Sequence, residues 1–324
     1  MADREVSIAL ERYDRHIPFF MGLVEPPPGI RLNALEVGMV PPRRDGVDRH
    51  RRMLVDLEFD MAEVSIASYI VARQRGVPLT AVPCIPRRLF SQNHIFVGTE
   101  SGITHPSQLA GKRIAIWAFQ VTMSVLAKGD MQTEYGLPWR EVTWVTQRPE
   151  EIKSNAGADR IERMPEGRTG ADMLLSGEVD AYIDPHPPEE IFADPRVRRL
   201  FEDTPEECRR YFKKYGCYPI MHLLAIKDEL VAERPDMPRE LMRMWDDARE
   251  QAYEFYVDHN YTVLPFGRYN YESNREAFHG NFWPSGVAAN RANFEQFIGY
   301  MVDQELLPAP VPVESLFHES VLDT

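Results

Sequence analysis

Phe59-Asp-Met-Ala-Glu-Val-Ser-Ile66 is a mostly apolar run, Ser68-Tyr-Ile-Val-Ala-Arg-Gln-Arg75 continues at helical spacing to Gly76, and Pro78-Leu-Thr-Ala-Val-Pro-Cys-Ile85 is apolar again. A buried strand, a helix ended by glycine and a second strand form the unit from which mainly parallel sheets are built. Upstream, Val6–Leu10 reads as a strand, Pro18–Val24 as a short helix, Ile30–Val37 alternates with period two and Asp48–Leu57 reads as a helix. Downstream the pattern recurs, with strands at His94–Thr99, Lys112–Trp117, Glu141–Val145, Val179–Ile183 and Pro219–Ile226. Helices are expected at Val121–Tyr135, Thr169–Ser176, Met237–Tyr256 and Asn290–Glu305, and a long polar loop across Arg148–Gly170. The spacing predicts an α/β chain in two lobes, residues 1–95 with 230–324 and residues 96–229, around a cleft that the loops after the strands line.

The 324 residues are 44% hydrophobic and 27% charged, a balance that supports folded cores and excludes a disordered or fibrous chain. Fifty acidic residues against 37 basic ones leave a net charge of −13, which disfavours nucleic acid as a partner because phosphate binding needs a positive face. Cys84, Cys208 and Cys217 are odd in number and share no ligand spacing, so neither a disulfide framework nor a zinc site is implied. The N-terminus has no apolar signal run, and the most apolar stretch, Phe59–Ala72, is broken by Asp60 and Glu63 and is too short to span a bilayer. A cytoplasmic protein with no membrane partner is expected. No phosphate-loop, dinucleotide, serine-hydrolase or zinc-protease motif occurs.

Chemistry is then sought in the loops that follow strands. The first strand runs into Glu11-Arg-Tyr-Asp-Arg-His16, a dense polar set. Ser65 and Ser68 fall at a helix N-terminus, where free N–H groups favour an anion, although serine is equally a plain cap there. Arg87 and Arg88 offer adjacent guanidinium groups suited to carboxylates or to a surface ion pair. Gln120 and Thr122 open another helix. His222 lies in an apolar run and reads either as a core histidine or as a proton donor. Asp14-Arg-His16 and Asp184-Pro-His186 share a spacing that suits a divalent ion but is common, so no metal is assigned.

Tyr13-Asp-Arg15, Glu58–Tyr69, Pro86-Arg-Arg-Leu-Phe90, Gln132-Thr-Glu-Tyr-Gly136, Pro219-Ile-Met-His222 and Phe282-Trp-Pro-Ser-Gly286 together resemble the 4,5-dihydroxyphthalate decarboxylases, in order and over most of the chain. The resemblance implies a type 2 periplasmic-binding-protein-like fold, two α/β lobes about a central cleft, and a cytoplasmic enzyme of aromatic degradation that turns 4,5-dihydroxyphthalate into protocatechuate. Two segments depart from it. Ser91-Gln-Asn-His94 stands where the family tends to carry Arg-His-Ser, and Ala118-Phe119 precedes Gln120 where it carries an acidic residue and Tyr. Either His94, Glu63 or His222 then moves the proton, or the substrate differs.

Loss of CO₂ from a hydroxylated aromatic acid requires protonation of the ring carbon, which needs a general acid but no obligatory cofactor. His222 is expected to donate that proton, with Glu63 orienting it or acting as the acid itself if burial raises its pKa. Tyr13, Asp14, Arg15, Ser65, Ser68, Arg87, Arg88, Gln120, Thr122 and His186 are expected to bind the substrate, with Arg15 and Arg88 on its carboxylate. The partner is a small aromatic carboxylate, and a homo-oligomer is left open. A solute-binding protein for an aromatic carboxylate, or another lyase or hydrolase on the same scaffold, is the alternative.

Overall fold

A computed structural model describes residues 3–38, 49–150, 152 and 156–324, so Asp48 of the expected helix and parts of the expected 148–170 loop lie outside the described residues. The chain begins with strands β1 (Arg4–Leu10), β2 (Ile30–Glu36), β3 (Met61–Ser65) and β4 (Leu79–Val82). It continues through β5 (Ile95–Gly98), β6 (Arg113–Ile116), β7 (Thr143–Thr146), β8 (Ile161–Arg163), β9 (Ala181–Ile183) and β10 (Val197–Arg199), then returns with β11 (His222–Lys227). These form one sheet in the order β2-β1-β3-β11-β4 and another in the order β10-β5-β9-β6-β7-β8. The two sheets belong to two compact units, residues 1–88, 220–292 and 312–324 in the first, and 89–219 and 293–311 in the second.

This division differs from the expected one in three places, the first being residues 89–95, which fall in the second unit. β11 joins the first unit because it pairs with both β3 and β4. Residues 293–311 join the second, where Tyr300 donates to Asp130 at 3.1 Å and Gln304 to the Val125 carbonyl at 2.8 Å. Within the first sheet β1 runs parallel to β2 and β3, as the strand–helix–strand spacing requires. β11 runs antiparallel to its neighbours, because it enters from a different unit rather than through a helix laid over the same sheet. Likewise, β5 is antiparallel to β9. The expected loop at 148–170 contains β8, which pairs with β7 and is missed in the sequence because Ile-Glu-Arg carries no apolar alternation.

The first core forms where β3, buried at every position, meets the helix Ile66–Gln74, and where β4 meets the long helix Met237–Val257, which buries Met244, Trp245 and Ala248 completely. Trp245 packs edge-on to His16 at 5.3 Å between ring centroids, fixing the polar turn after β1 against the core. Truncating so large a buried ring costs about 3–5 kcal/mol. Among the described residues, no helix is long and apolar enough to cross a membrane, and no disulfide forms among Cys84, Cys208 and Cys217.

Candidate active site

The β3–β11 register places His222 opposite Ser65, and Leu224 opposite Glu63. Side chains two positions apart share a face of the sheet, so Glu63 and His222 are diagonal neighbours on one face. His222 Nδ1 hydrogen-bonds Glu63 Oε1. The other carboxylate oxygen accepts the Glu11 N–H at 3.1 Å and lies 3.2 Å from Arg49 Nη2. Arg49, fully buried, also donates from Nε to the Glu63 carbonyl at 3.1 Å. Burial favours the neutral acid of Glu63, but Arg49 and the His222 contact outweigh it and hold the carboxyl well below the usual range. Glu63 is therefore ionised at neutral pH and orients the imidazole, which removes the expectation that it is itself the acid.

His222 is neutral at rest. Burial is the largest cause of its pKa falling to about 4, Glu63 opposes this, and the charges of Arg87 and Arg49 reinforce it. With Nδ1 committed to Glu63, Nε2 is the ring nitrogen that this contact leaves free to meet another group. The His50 ring packs edge-on against His222 at 4.8 Å. His50 Nδ1 accepts the Ser65 N–H at 3.1 Å, so that nitrogen carries no proton. Arg49 and His50 are neighbours on the helix Arg49–Leu54, and sequence reasoning missed both. Their only signal is a place in the run Arg49-His-Arg-Arg52, which reads as a solvated basic face.

The other expected residues divide by unit. Tyr13 belongs to the first, and burial followed by the Glu63 charge raises its hydroxyl pKa. Ser65 is the residue before the helix Ile66–Gln74 but makes no side-chain cap bond, and Ser68 is buried in the first turn. Arg87 acts electrostatically on both His222 and Tyr13. Arg88 turns inward and donates from Nη2 to the Pro284 carbonyl at 2.9 Å and to Asn290 Oδ1 at 2.5 Å. Its expected place on a substrate carboxylate is thus taken by internal acceptors. Arg15 stacks over Tyr13 at 4.2 Å and over Trp283 at 4.5 Å, and its Nη1 donates to Asp14 at 2.9 Å.

In the second unit, the Phe119 and Gln120 N–H groups ahead of the helix Thr122–Tyr135 donate to the Glu150 carboxylate at 2.8 and 2.9 Å. An internal anion thus occupies the turn where Gln120 and Thr122 were expected to hold a substrate. His94 Nδ1 donates to the Asp184 carbonyl at 3.1 Å. Asp184 accepts the His186 N–H at 2.6 Å, so the Asp-x-His spacing there closes a local turn. Among the described residues, no group of His, Cys, Asp or Glu is arranged to hold a metal ion.

Comparison with known proteins agrees with the chain's organisation. A 4,5-dihydroxyphthalate decarboxylase from Comamonas testosteroni is 28% identical over 337 residues, spanning 100% of this chain and 99% of its own length. One from Pseudomonas putida is 36% identical over 156 residues, 45% of this chain and 60% of its own. Among solved structures, the alkanesulfonate-binding protein SsuA from Xanthomonas axonopodis pv. citri, bound to MOPS, aligns with a TM-score of 0.58 at 15% identity over 98% of this chain and 99% of that one. The fold is α/β and periplasmic-binding-protein-like. With the NMT1/THI5-like profile matching residues 33–259, the chain belongs to that family, as a divergent relative of the 4,5-dihydroxyphthalate decarboxylases.

Proposed function

We propose that this protein is a cofactor-independent, non-oxidative decarboxylase of a hydroxylated aromatic acid of the 4,5-dihydroxyphthalate kind. The observation that carries the reading is the Glu63–His222 contact, which leaves one imidazole nitrogen free to meet another group in a chain similar to such decarboxylases from end to end. A bound dicarboxylate brings negative charge to a histidine that burial keeps neutral, and so favours the imidazolium. Nε2 then gives its proton to the ring carbon bearing the leaving carboxylate. The bond from that carbon to the carboxyl breaks, its electron pair restores the aromatic ring, CO₂ departs, and solvent reprotonates the imidazole. Glu63 stays ionised and balances the imidazolium, while Arg87 holds the carboxylate that remains.

The test is CO₂ release from 4,5-dihydroxyphthalate and related hydroxylated diacids. One equivalent of CO₂ per dihydroxybenzoate formed is expected, and His222→Asn should lower turnover by a factor of about 10² or more while substrate still binds. Binding without CO₂ release from any such acid would make the chain a solute-binding protein instead.

A further inference from the structure

Beside the polar turn after β1 lies a cavity of about 230 Å³ within the first unit. Its walls are the rings of Tyr253, Tyr256, Tyr271, Phe282 and Trp283, with Arg15 as the cation facing them. We propose that this cavity is a binding site, separate from the Glu63–His222 pair, for a small aromatic monocarboxylate.

The ring follows from the walls. Tyr253 lies 6.0 Å from Tyr271 and 6.2 Å, edge-on, from Phe282, so the aromatic side is already assembled in the geometry that π faces prefer. The volume suits one substituted ring, since sites for larger ligands usually run to ~300–1,000 Å³. The single carboxylate follows from Arg15. Its guanidinium packs against the Tyr13 and Trp283 rings, and Nε donates to the Pro86 carbonyl at 2.5 Å. Nη1 is held by Asp14, leaving Nη2 without a partner among the described residues. One in-plane edge can meet one carboxylate, whereas a phosphate or a diacid needs more donors.

The surrounding charge agrees. Asp14 is pinned by Arg15 and by the Tyr256 hydroxyl, and Arg249, the other lining cation, is paired with Asp246 at 2.8 Å. The cavity is thus close to neutral and would be poor at holding a dianion. An aromatic monocarboxylate is also what an aromatic diacid becomes on losing one carboxylate, a link that rests on the proposed function.

The experiment is titration of the whole chain with benzoate, followed by ligand-observed NMR, with cyclohexanecarboxylate as the probe of equal charge and no π face. Benzoate should bind, roughly threefold or more tighter than cyclohexanecarboxylate. Arg15→Gln and Tyr271→Leu should each weaken benzoate by about tenfold or more, and His222→Asn should leave its Kd unchanged. Tyr271 is half-exposed, so its variant keeps the test open if Arg15→Gln fails to fold. Absence of benzoate binding at millimolar concentration would overturn the proposal, as would a Kd indifferent to Tyr271→Leu but lost in His222→Asn. Benzoate binding of the expected kind in a chain that decarboxylates nothing would leave this site standing and remove only the function proposed above.

Discussion

His222, the first residue of β11, donates its Nδ1 proton to Glu63 in the middle of β3, and so joins two strands through residues that stand 159 positions apart in the chain. The carboxylate favours the imidazolium, so losing its charge lowers the histidine pKa further. Glu63→Gln should cut kcat by about tenfold or more, with KM changed far less, and move the limb of the kcat–pH profile that reports the acid to lower pH. A limb that stays in place would show that Glu63 does not act through His222.

Arg87 and Arg88 are adjacent in sequence and opposite in consequence. Arg88 serves the Pro284 carbonyl and Asn290. Arg88→Ala should therefore cost about 2–3 kcal/mol in urea unfolding and leave KM within about twofold, since it strands buried acceptors rather than substrate. Arg87→Ala should do the reverse, raising KM about tenfold or more. Steady-state kinetics beside urea titration of both variants separates the two roles.

His16 is buried, with its Nδ1 on the Glu11 carbonyl at 2.7 Å, and burial drives its pKa from 6.5 to about 4. Between those two values the unfolded chain binds a proton that the native chain does not. Stability must therefore fall as pH drops through that window, by about 1.4 kcal/mol per pH unit for each such histidine, and His222 adds a second. His16→Gln should flatten the slope of unfolding free energy against pH between about 6.5 and 4. An unaltered slope would mean that His16 is protonated in the native state.

Asp130 has the opposite sign. It accepts from Ser91 at 2.6 Å, Tyr211 at 2.8 Å and Tyr300 at 3.1 Å, yet burial, the largest cause, raises its pKa from 3.8 to about 7. The native chain here holds a proton that the unfolded chain has released, so stability falls as pH rises through that interval. The advantage of the parent chain over Asp130→Asn should therefore shrink steadily from pH 4 to pH 7, as followed by thermal unfolding. A gap that widens instead would place the proton on the unfolded chain.

The strand–helix–strand unit around Gly76 was legible because two short apolar runs, helical spacing between them and a glycine stop all agreed over Phe59–Ile85. β8 was not, since a short edge strand needs no apolar alternation. Glu63 and His222 were identifiable as titratable residues in apolar runs. Glu63 was expected to orient His222, but the strand register that brings the two together was not legible, because no local pattern links β3 to β11. Arg49 and His50 were hidden for a related reason. Charge and polarity in a short basic run look alike whether the side chains face solvent or a buried carboxylate.

The position of β11 between β3 and β4 also sets a condition on synthesis. When the first 88 residues have emerged, β3 and β4 have no strand between them, and the partner that fills that place is encoded only at 222–227, beyond the segment that builds most of the second unit. Until then both strands carry unpaired backbone edges of the kind that attract neighbouring chains. The imidazole arrives on the same strand that seals those edges. A nascent or prematurely ended chain is thus sticky and lacks its imidazole, and the Glu63–His222 pair forms only when the sheet can no longer recruit a stranger.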